Sequence, residues 1–476
     1  MSSLNFYSDC PEIEPVRRIY GIESELEINP YEQPIYELFE GRRMTKKLGT
    51  IQQFSQNGSR IYVDSGNHPE YATPECQTIR ETVAAVIAGE IIMSEIVDLH
   101  GGKLEQQHFR LNNRVIGDDP KISWGVHENY QTLKRINPEK SESWDGYSDH
   151  WNGLITHLST RMILSGAGHV ECRTGKYFVA QKAQHVKTPI SSTTTSSISK
   201  PHINTRDESF SSNNNFRRLH IVSGDPNMIP WSSAYKIAST SLVLRMMEHG
   251  VNMNDLKLYR PANVTVSVAK DNKLSKLVEL DSGVKIRSAE VQLALAELAL
   301  EFIETVSVPE DEKIMANEWY AAAEHLVDSP KDKEFLKNKV DWIAKDLIIK
   351  SAKSRTGSTT DYVHARAIDR MWGDLNYNGI AIKLRKLGHF DDPLDAISLA
   401  PHLVKNPPKG RAELRGELIR CLRNVVPKRS IRVRSVNWNE VKYNFEGGDR
   451  EVYLNDSYGE NPDEIARLYR HIEELE

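Results

Sequence analysis

The segment Ser59–Cys76, SRIYVDSGNHPEYATPEC, constrains the fold most, together with GIESELEI at Gly21–Ile28. Successive side chains of a strand point to opposite faces. Arg60, Tyr62 and Asp64 therefore share one face, and Ile61 and Val63 the other. The earlier segment alternates in the same way, with Glu23, Glu25 and Glu27 opposite Ile22, Leu26 and Ile28. Both read as strands with an apolar back and a charged working face. Either alone is equally well explained as an exposed, solvated edge. Together they are different: Glu23, Glu25, Asp64, Glu70 and Glu75, gathered near Arg60 and Tyr62, would repel one another without a cation. Convergence implies a metal, and all-oxygen donors favour Mg²⁺, Mn²⁺ or Ca²⁺ over zinc. Mg²⁺ is the usual companion of nucleotide phosphates, so an ATP site is expected.

At 476 residues, 27% charged and 39% hydrophobic, the chain has the balance of a soluble globular protein with two or three domains. A net charge of -5 leaves no general nucleic-acid footprint, so no nucleic-acid partner is expected. The N-terminus, MSSLNFYSDCPEIEP, lacks the basic and apolar regions of a signal peptide. The most apolar window, TVAAVIAGEIIM from Thr82, is interrupted by Glu90 and too short to span a bilayer, so it reads as a core helix with no membrane role. Cysteines 10, 76, 172 and 421 form no CxxC pair and read as reduced structural thiols in the cytoplasm.

Helical periodicity runs from Ser288 to Ile303 and again near Val340–Ile349, and these segments are expected to back a sheet. SSTTTSSIS at Ser191–Ser199 reads as a loop. KNPPKGR at Lys405–Arg411 marks the best boundary, since consecutive prolines interrupt helix and sheet alike. The division expected is a catalytic domain over 1–405 and a small C-terminal domain over 406–476. In the latter, RAELRGELIRCLR has helical spacing, and VKYNFE and DREVYL read as short strands. Arg411 and Arg415, four apart, share a helical face that is either solvated or meets an acidic group. SGAG at Ser165 is not a dinucleotide fingerprint, and no Walker motif is present.

GIESE, RIYVDSGNHPEYATPEC, GVHENY (Gly125–Tyr130), INTRDE (Ile203–Glu208) and RRLHIVSGDPNM (Arg217–Met228) resemble the Pup ligase family, proteasome accessory factor A. The likeness continues through DWIAKDLI near Asp341, RAELRGELI at Arg411–Ile419 and VNW ending at Trp438, and so covers nearly the whole chain. These are carboxylate-amine ligases related to glutamine synthetase. The resemblance implies an α+β fold: a curved, mainly antiparallel sheet cradling ATP, backed by helices, with a small C-terminal α/β domain. Carried over residue by residue, it implies that Glu23, Tyr62 and Glu70 hold Mg²⁺, with Glu25 beside them. It also implies that Arg60, Thr73 and Trp438 contact ATP, and that Asp64 is the catalytic base. Arg206, Asp207, Arg217, Arg218 and His220 line the phosphate side or form a buried ion-pair network; His127 and Asn112 are weaker candidates.

The implied activity begins with phosphorylation by ATP of the side-chain carboxylate of the C-terminal glutamate of Pup, or of a Pup-like modifier. Phosphorylation replaces an oxide with a competent leaving group. A lysine of a target protein then attacks, giving an isopeptide bond. Alternatives are a Pup deamidase and depupylase, an ATP-dependent ligase joining glutamate to a small amine, and an inactive Pup-binding adaptor. The short Asn29–Gly58 connection favours the ligase over the deamidase. Departures from the family pattern are FRLNN at Phe109–Asn113 and AQK at Ala180–Lys182, which put phosphate contacts there in question, and MWGDL at Met371–Leu375, which keeps Asp374 but lacks the family's histidine; they fall around Leu111, Lys182 and Trp372.

Overall fold

A computed structural model of the chain describes residues 17–29, 50–51, 53–64, 68–101, 110–112, 124–133, 148–193, 200–206, 216–356, 361–376, 378–425 and 431–475. The chain divides into two compact units. One comprises Ile19–Leu111, Glu208–Ser212 and Ala396–Glu476, the other Met1–Arg18, Asn112–Asp207 and Asn213–Asp395.

The first unit holds the acidic strands. Its β1 (Tyr20–Glu25), β2 (Thr50–Ile51), β3 (Phe54–Ser55), β4 (Arg60–Asp64) and β5 (His68–Ala72) pair antiparallel in the order β1-β5-β4-β3-β2. The alternation read from sequence holds, with Ile22, Ile61 and Tyr71 buried on the back. Helix α1 (Ile79–Gly101) packs there, as the apolar window from Thr82 predicts. Close approach is possible because α1 carries glycine opposite Tyr71: a Cβ on Gly89 would fall 2.4 Å from the Tyr71 ring. Gly89→Leu is therefore expected to cost about 1–3 kcal/mol through overpacking, read as a lowered thermal midpoint. An unchanged midpoint would refute the packing argument.

The same unit contains α2 (Ala396–Leu403), α3 (Arg411–Val425), the antiparallel trio β6 (Ile431–Val436), β7 (Glu440–Phe445) and β8 (Gly448–Tyr453), and α4 (Pro462–Leu475). The prolines of KNPPKGR lie between α2 and α3. Leu418, Leu422, Tyr443, Val452 and Leu468 form one apolar cluster with Phe54 of β3. Two further features tie β3–β4 to the C-terminal segment: Asn57 donates to the Leu403 carbonyl (2.9 Å), and Gly58, at φ +84°, lies against Ala412.

In the second unit, strands Thr188–Ser191, Pro201–Asn204, Phe216–Ile221 and Val126–Leu133 lie side by side in that order, the first pair parallel and the others antiparallel. Residues 194–199 of the Ser/Thr cluster lie outside the described residues. Helix Pro230–Glu248 is buried along its whole length and touches the Val126–Leu133 strand. Helix Ser288–Thr305, found where periodicity predicts it, packs chiefly on helices Glu310–Asp328, Asn152–Thr160 and Pro230–Glu248. Helix Asp341–Thr356 covers the other predicted segment. Asp341 there accepts from the Met228 amide (2.9 Å) and the Trp372 indole (2.9 Å), so the departure at Trp372 has a structural use. The fold is thus α+β, as expected. Among the described residues no helix is long and apolar enough to cross a membrane.

Candidate active site

Strand register builds the site. Glu25 of β1 lies opposite Glu70 of β5, and Glu70 opposite Tyr62 of β4, giving one row across three strands. The next row is Glu23, Ala72 and Arg60, and on the other side Asp64 pairs with His68. Directly opposed residues share a face. Glu23, Glu25, Arg60, Tyr62, Asp64, His68 and Glu70 thus occupy a single surface. Carboxylate oxygens of Glu25, Asp64 and Glu70 all lie within 4.8 Å of one another.

Burial and neighbouring carboxylates shift the protonation of Glu70. Burial first, then the Glu23 carboxylate, pushes Glu70 well above the ordinary carboxylate range; the Tyr62 hydroxyl partly offsets this, and Glu25 and Asp64 add to it. Tyr62 donates to Glu70 Oε1. Burial and the Glu70 and Glu23 carboxylates push the phenol well above its usual range, which keeps it a donor. Glu25 Oε2 meets His68 Nδ1 at 3.0 Å. A hard divalent cation is the charge such an oxygen set accommodates.

Arg60 lies over the Tyr62 ring (4.3 Å) and the Phe54 ring (5.7 Å). Its Nε and Nη2 donate to Gln53 Oε1 at 3.2 and 2.9 Å. Beyond Phe54 stands Trp438, edge-on at 5.1 Å between centroids. Thr73 is buried, and its hydroxyl accepts from the Ile22 amide at 3.0 Å, which locks β1 beside the end of β5.

Glu75 is the acid that does not converge. It is clamped by Arg411 Nε (2.8 Å) and by Arg415 through Nη1 (3.0 Å) and Nη2 (2.5 Å). Arg415 also donates to the carbonyls of Gly58 (2.7 Å) and Trp438. Burial alone would raise the Glu75 pKa, but Arg415 and Arg411 outweigh it and hold it at about 2. The basic face of α3 is therefore an internal clamp rather than a solvated surface. It fixes the turn before β4 and the backbone of Trp438 together.

Arg206 and Arg218 belong to the other unit. Arg218 and His220 share one face of their strand, opposite Gln131 and Asn129 of the neighbouring strand. Arg217 points the other way, to the face where Glu128 is bonded by Arg161 (Nη1–Oε2 2.9 Å) and Tyr130 (2.7 Å). Arg206 follows the strand end, its amide bonded to the Asn204 side chain (2.8 Å). Lys182 donates to the Trp124 carbonyl at 2.9 Å. His127 packs edge-on against His220 at 5.0 Å. Asp207, the side chain of Asn112 and most of the Asn29–Gly58 connection lie outside the described residues. Sequence reasoning passed over Gln53 and His68; the signal for His68 was its place in HPEYA, two residues from Glu70.

Residues 15–442 match the Pup-ligase protein family. The chain belongs to the Pup ligase family. It is 32% identical over 474 residues to the Pup–protein ligase of Acidimicrobium ferrooxidans, with 96% of this chain and 99% of that protein covered. A Pup–protein ligase of Nocardioides sp. is 29% identical over 95% of this chain and 99% of its own length. Among solved structures, the complex of the prokaryotic ubiquitin-like protein Pup with its ligase PafA superposes with a TM-score of 0.80 at 25% identity, covering 96% of this chain and 92% of that one. The Pup ligase PafA in complex with ADP gives 0.76 at 24% identity, covering 91% and 92%, and shares the fold.

Proposed function

We propose that this member of the Pup ligase family is an ATP-dependent carboxylate-amine ligase joining the C-terminal glutamate of Pup, or of a Pup-like modifier, to lysines of target proteins. The observation carrying this reading is the convergence of Glu25, Asp64 and Glu70 beside Arg60 on one sheet face. Glu23, Tyr62, Glu70 and Glu25 would hold Mg²⁺. Bound there, the ion supplies positive charge against which ATP phosphates and a transferring phosphoryl group are stabilised.

Arg60, a fixed cation with a forked donor set, meets phosphate oxygens. Trp438 offers an aromatic face for adenine, and Thr73, whose hydroxyl ties β1 to the end of β5, is a further ATP contact. Arg206 of INTRDE and Arg218 of RRLHIVSGDPNM are further nucleotide contacts in this reading. In the proposed division, residues 1–405 form the catalytic domain and 406–476 a C-terminal domain that contributes Trp438. The glutamate carboxylate of the modifier attacks the γ-phosphate, giving a γ-glutamyl phosphate and ADP. The lysine nitrogen then attacks the glutamyl carbon, phosphate leaves, and Asp64 accepts the proton. A lysine with a pKa of about 10.4 is almost wholly protonated near neutrality, so a carboxylate that attracts the ammonium and takes its proton is useful. We assign the reaction to the cytoplasm, where buried thiols such as Cys76 stay reduced.

The test is incubation with ATP, Mg²⁺, a Pup ending in glutamate and a lysine-bearing acceptor, followed by intact mass. A conjugate at the summed mass less one water is expected, and chelation with EDTA is expected to abolish it. Conjugation that survives metal removal would overturn the Mg²⁺ assignment. Ammonia release from a Pup ending in glutamine, without conjugation, would make the enzyme a hydrolase of the same modifier.

A further inference from the structure

Gln53 stands in the short connection between the paired residues Ile51 and Phe54, with φ at +75°. This is the left-handed region, where glycine is at ease and a glutamine is held at a cost. Short hairpin connections ordinarily place glycine or asparagine in such positions. The side chain explains what the backbone alone does not. Its amide oxygen takes both Nε (3.2 Å) and Nη2 (2.9 Å) of Arg60, while its backbone carbonyl accepts from the Ile61 amide at 2.8 Å. Arg60 is therefore fixed in three ways: by register opposite Phe54, by the flanking Tyr62 and Phe54 rings, and by the Gln53 amide at one edge of its guanidinium. Nη1 takes no part in the Gln53 grip.

We propose that Gln53 is a positioning residue that orients the Arg60 guanidinium for nucleotide phosphate, its strained backbone being retained for the side chain it carries. A neutral amide suits this role. It accepts from the guanidinium without neutralising it, whereas a carboxylate at the same place would compete with phosphate for the same charge. The inference rests on the reading of Arg60 as a nucleotide contact, and the experiment separates the two.

Four variants are compared: Gln53→Gly, Gln53→Glu, Gln53→Asn and Arg60→Ala. Each is measured for ATP dissociation constant, KM for ATP, kcat and thermal midpoint. Gln53→Gly relieves the positive φ while removing the amide. Its midpoint is expected to equal or exceed that of the wild type while ATP affinity falls about tenfold, with the change in KM rather than kcat. Gln53→Glu is expected to weaken ATP more than Gln53→Gly does, and Gln53→Asn, which tolerates the backbone but falls short of Arg60, to resemble Gln53→Gly. If Arg60→Ala loses ATP while Gln53→Gly binds it normally, the positioning role is overturned and the nucleotide reading stands. If Arg60→Ala also binds ATP normally, the nucleotide reading itself fails. A drop in midpoint for Gln53→Gly in step with lost affinity would make Gln53 a structural residue.

Discussion

Replacing Asp64 with asparagine is expected to slow conjugate formation by about 10²–10⁴-fold, the range that a positioned general base contributes. Nucleotide affinity should not weaken. Asp64 shares a 4.8 Å neighbourhood with Glu25 and Glu70, so removing its charge relieves repulsion on that surface. For the same reason the thermal midpoint should hold or rise. Single-turnover conjugation followed by intact mass, run beside an ATP-binding titration, measures both quantities. Conjugation within a few-fold of the wild type would mean that Asp64 is not the base.

The second large effect concerns stability. Arg415→Ala leaves Glu75 buried with Arg411 alone and strips the carbonyls of Gly58 and Trp438 of a donor. Removing one partner of a buried ion pair typically costs about 3–5 kcal/mol, and a marked fall in thermal midpoint is expected at neutral pH. The clamp also fixes the sign of a pH dependence. Folding lowers the Glu75 pKa from 4.5 to about 2. Its contribution is therefore complete above the unfolded value and lost as pH falls from about 4.5 towards 2. The shift corresponds to stability on the order of 3 kcal/mol. The gap in midpoint between wild type and Glu75→Gln should accordingly be wide at pH 7 and narrow towards pH 3. A gap that ignored pH would show that Glu75 does not act through its charge.

These two sites differ in how far they can be read from the chain. Asp64, Tyr62 and Arg60 declare a common face because strand alternation is local, and the same holds for Glu23 and Glu25. That Glu70 stands between Glu25 and Tyr62 is a matter of register, which depends on pairing partners rather than on spacing. Glu75 misled for a related reason. In sequence it continues the run of acids, but its partners Arg411 and Arg415 lie more than 300 positions on, and no periodicity links them. The arginines themselves were legible as one helical face, and what that face met was not. Arg217 and Arg218, adjacent letters of one motif, part to opposite faces for the simple reason that they occupy a strand. Strand Ile431–Val436 and helix Pro462–Leu475 carried local signals, an alternating IRVRSV and a proline at the helix start, and were passed over.

The unit that bears the acidic strands is discontinuous, built from Ile19–Leu111, Glu208–Ser212 and Ala396–Glu476. During synthesis at about 5–20 residues per second, roughly 15–60 s separate the emergence of Leu111 from that of Arg415. Through that interval Phe54 waits without Leu418 and Tyr443, and Glu75 without its cations. The acidic strands therefore stay without their packing partners until helix α3 and the strands after it have been made, and a ribosome that stalls after Asp395 leaves Phe54 uncovered and Glu75 without its cations, a state suited to capture by chaperones rather than to chemistry.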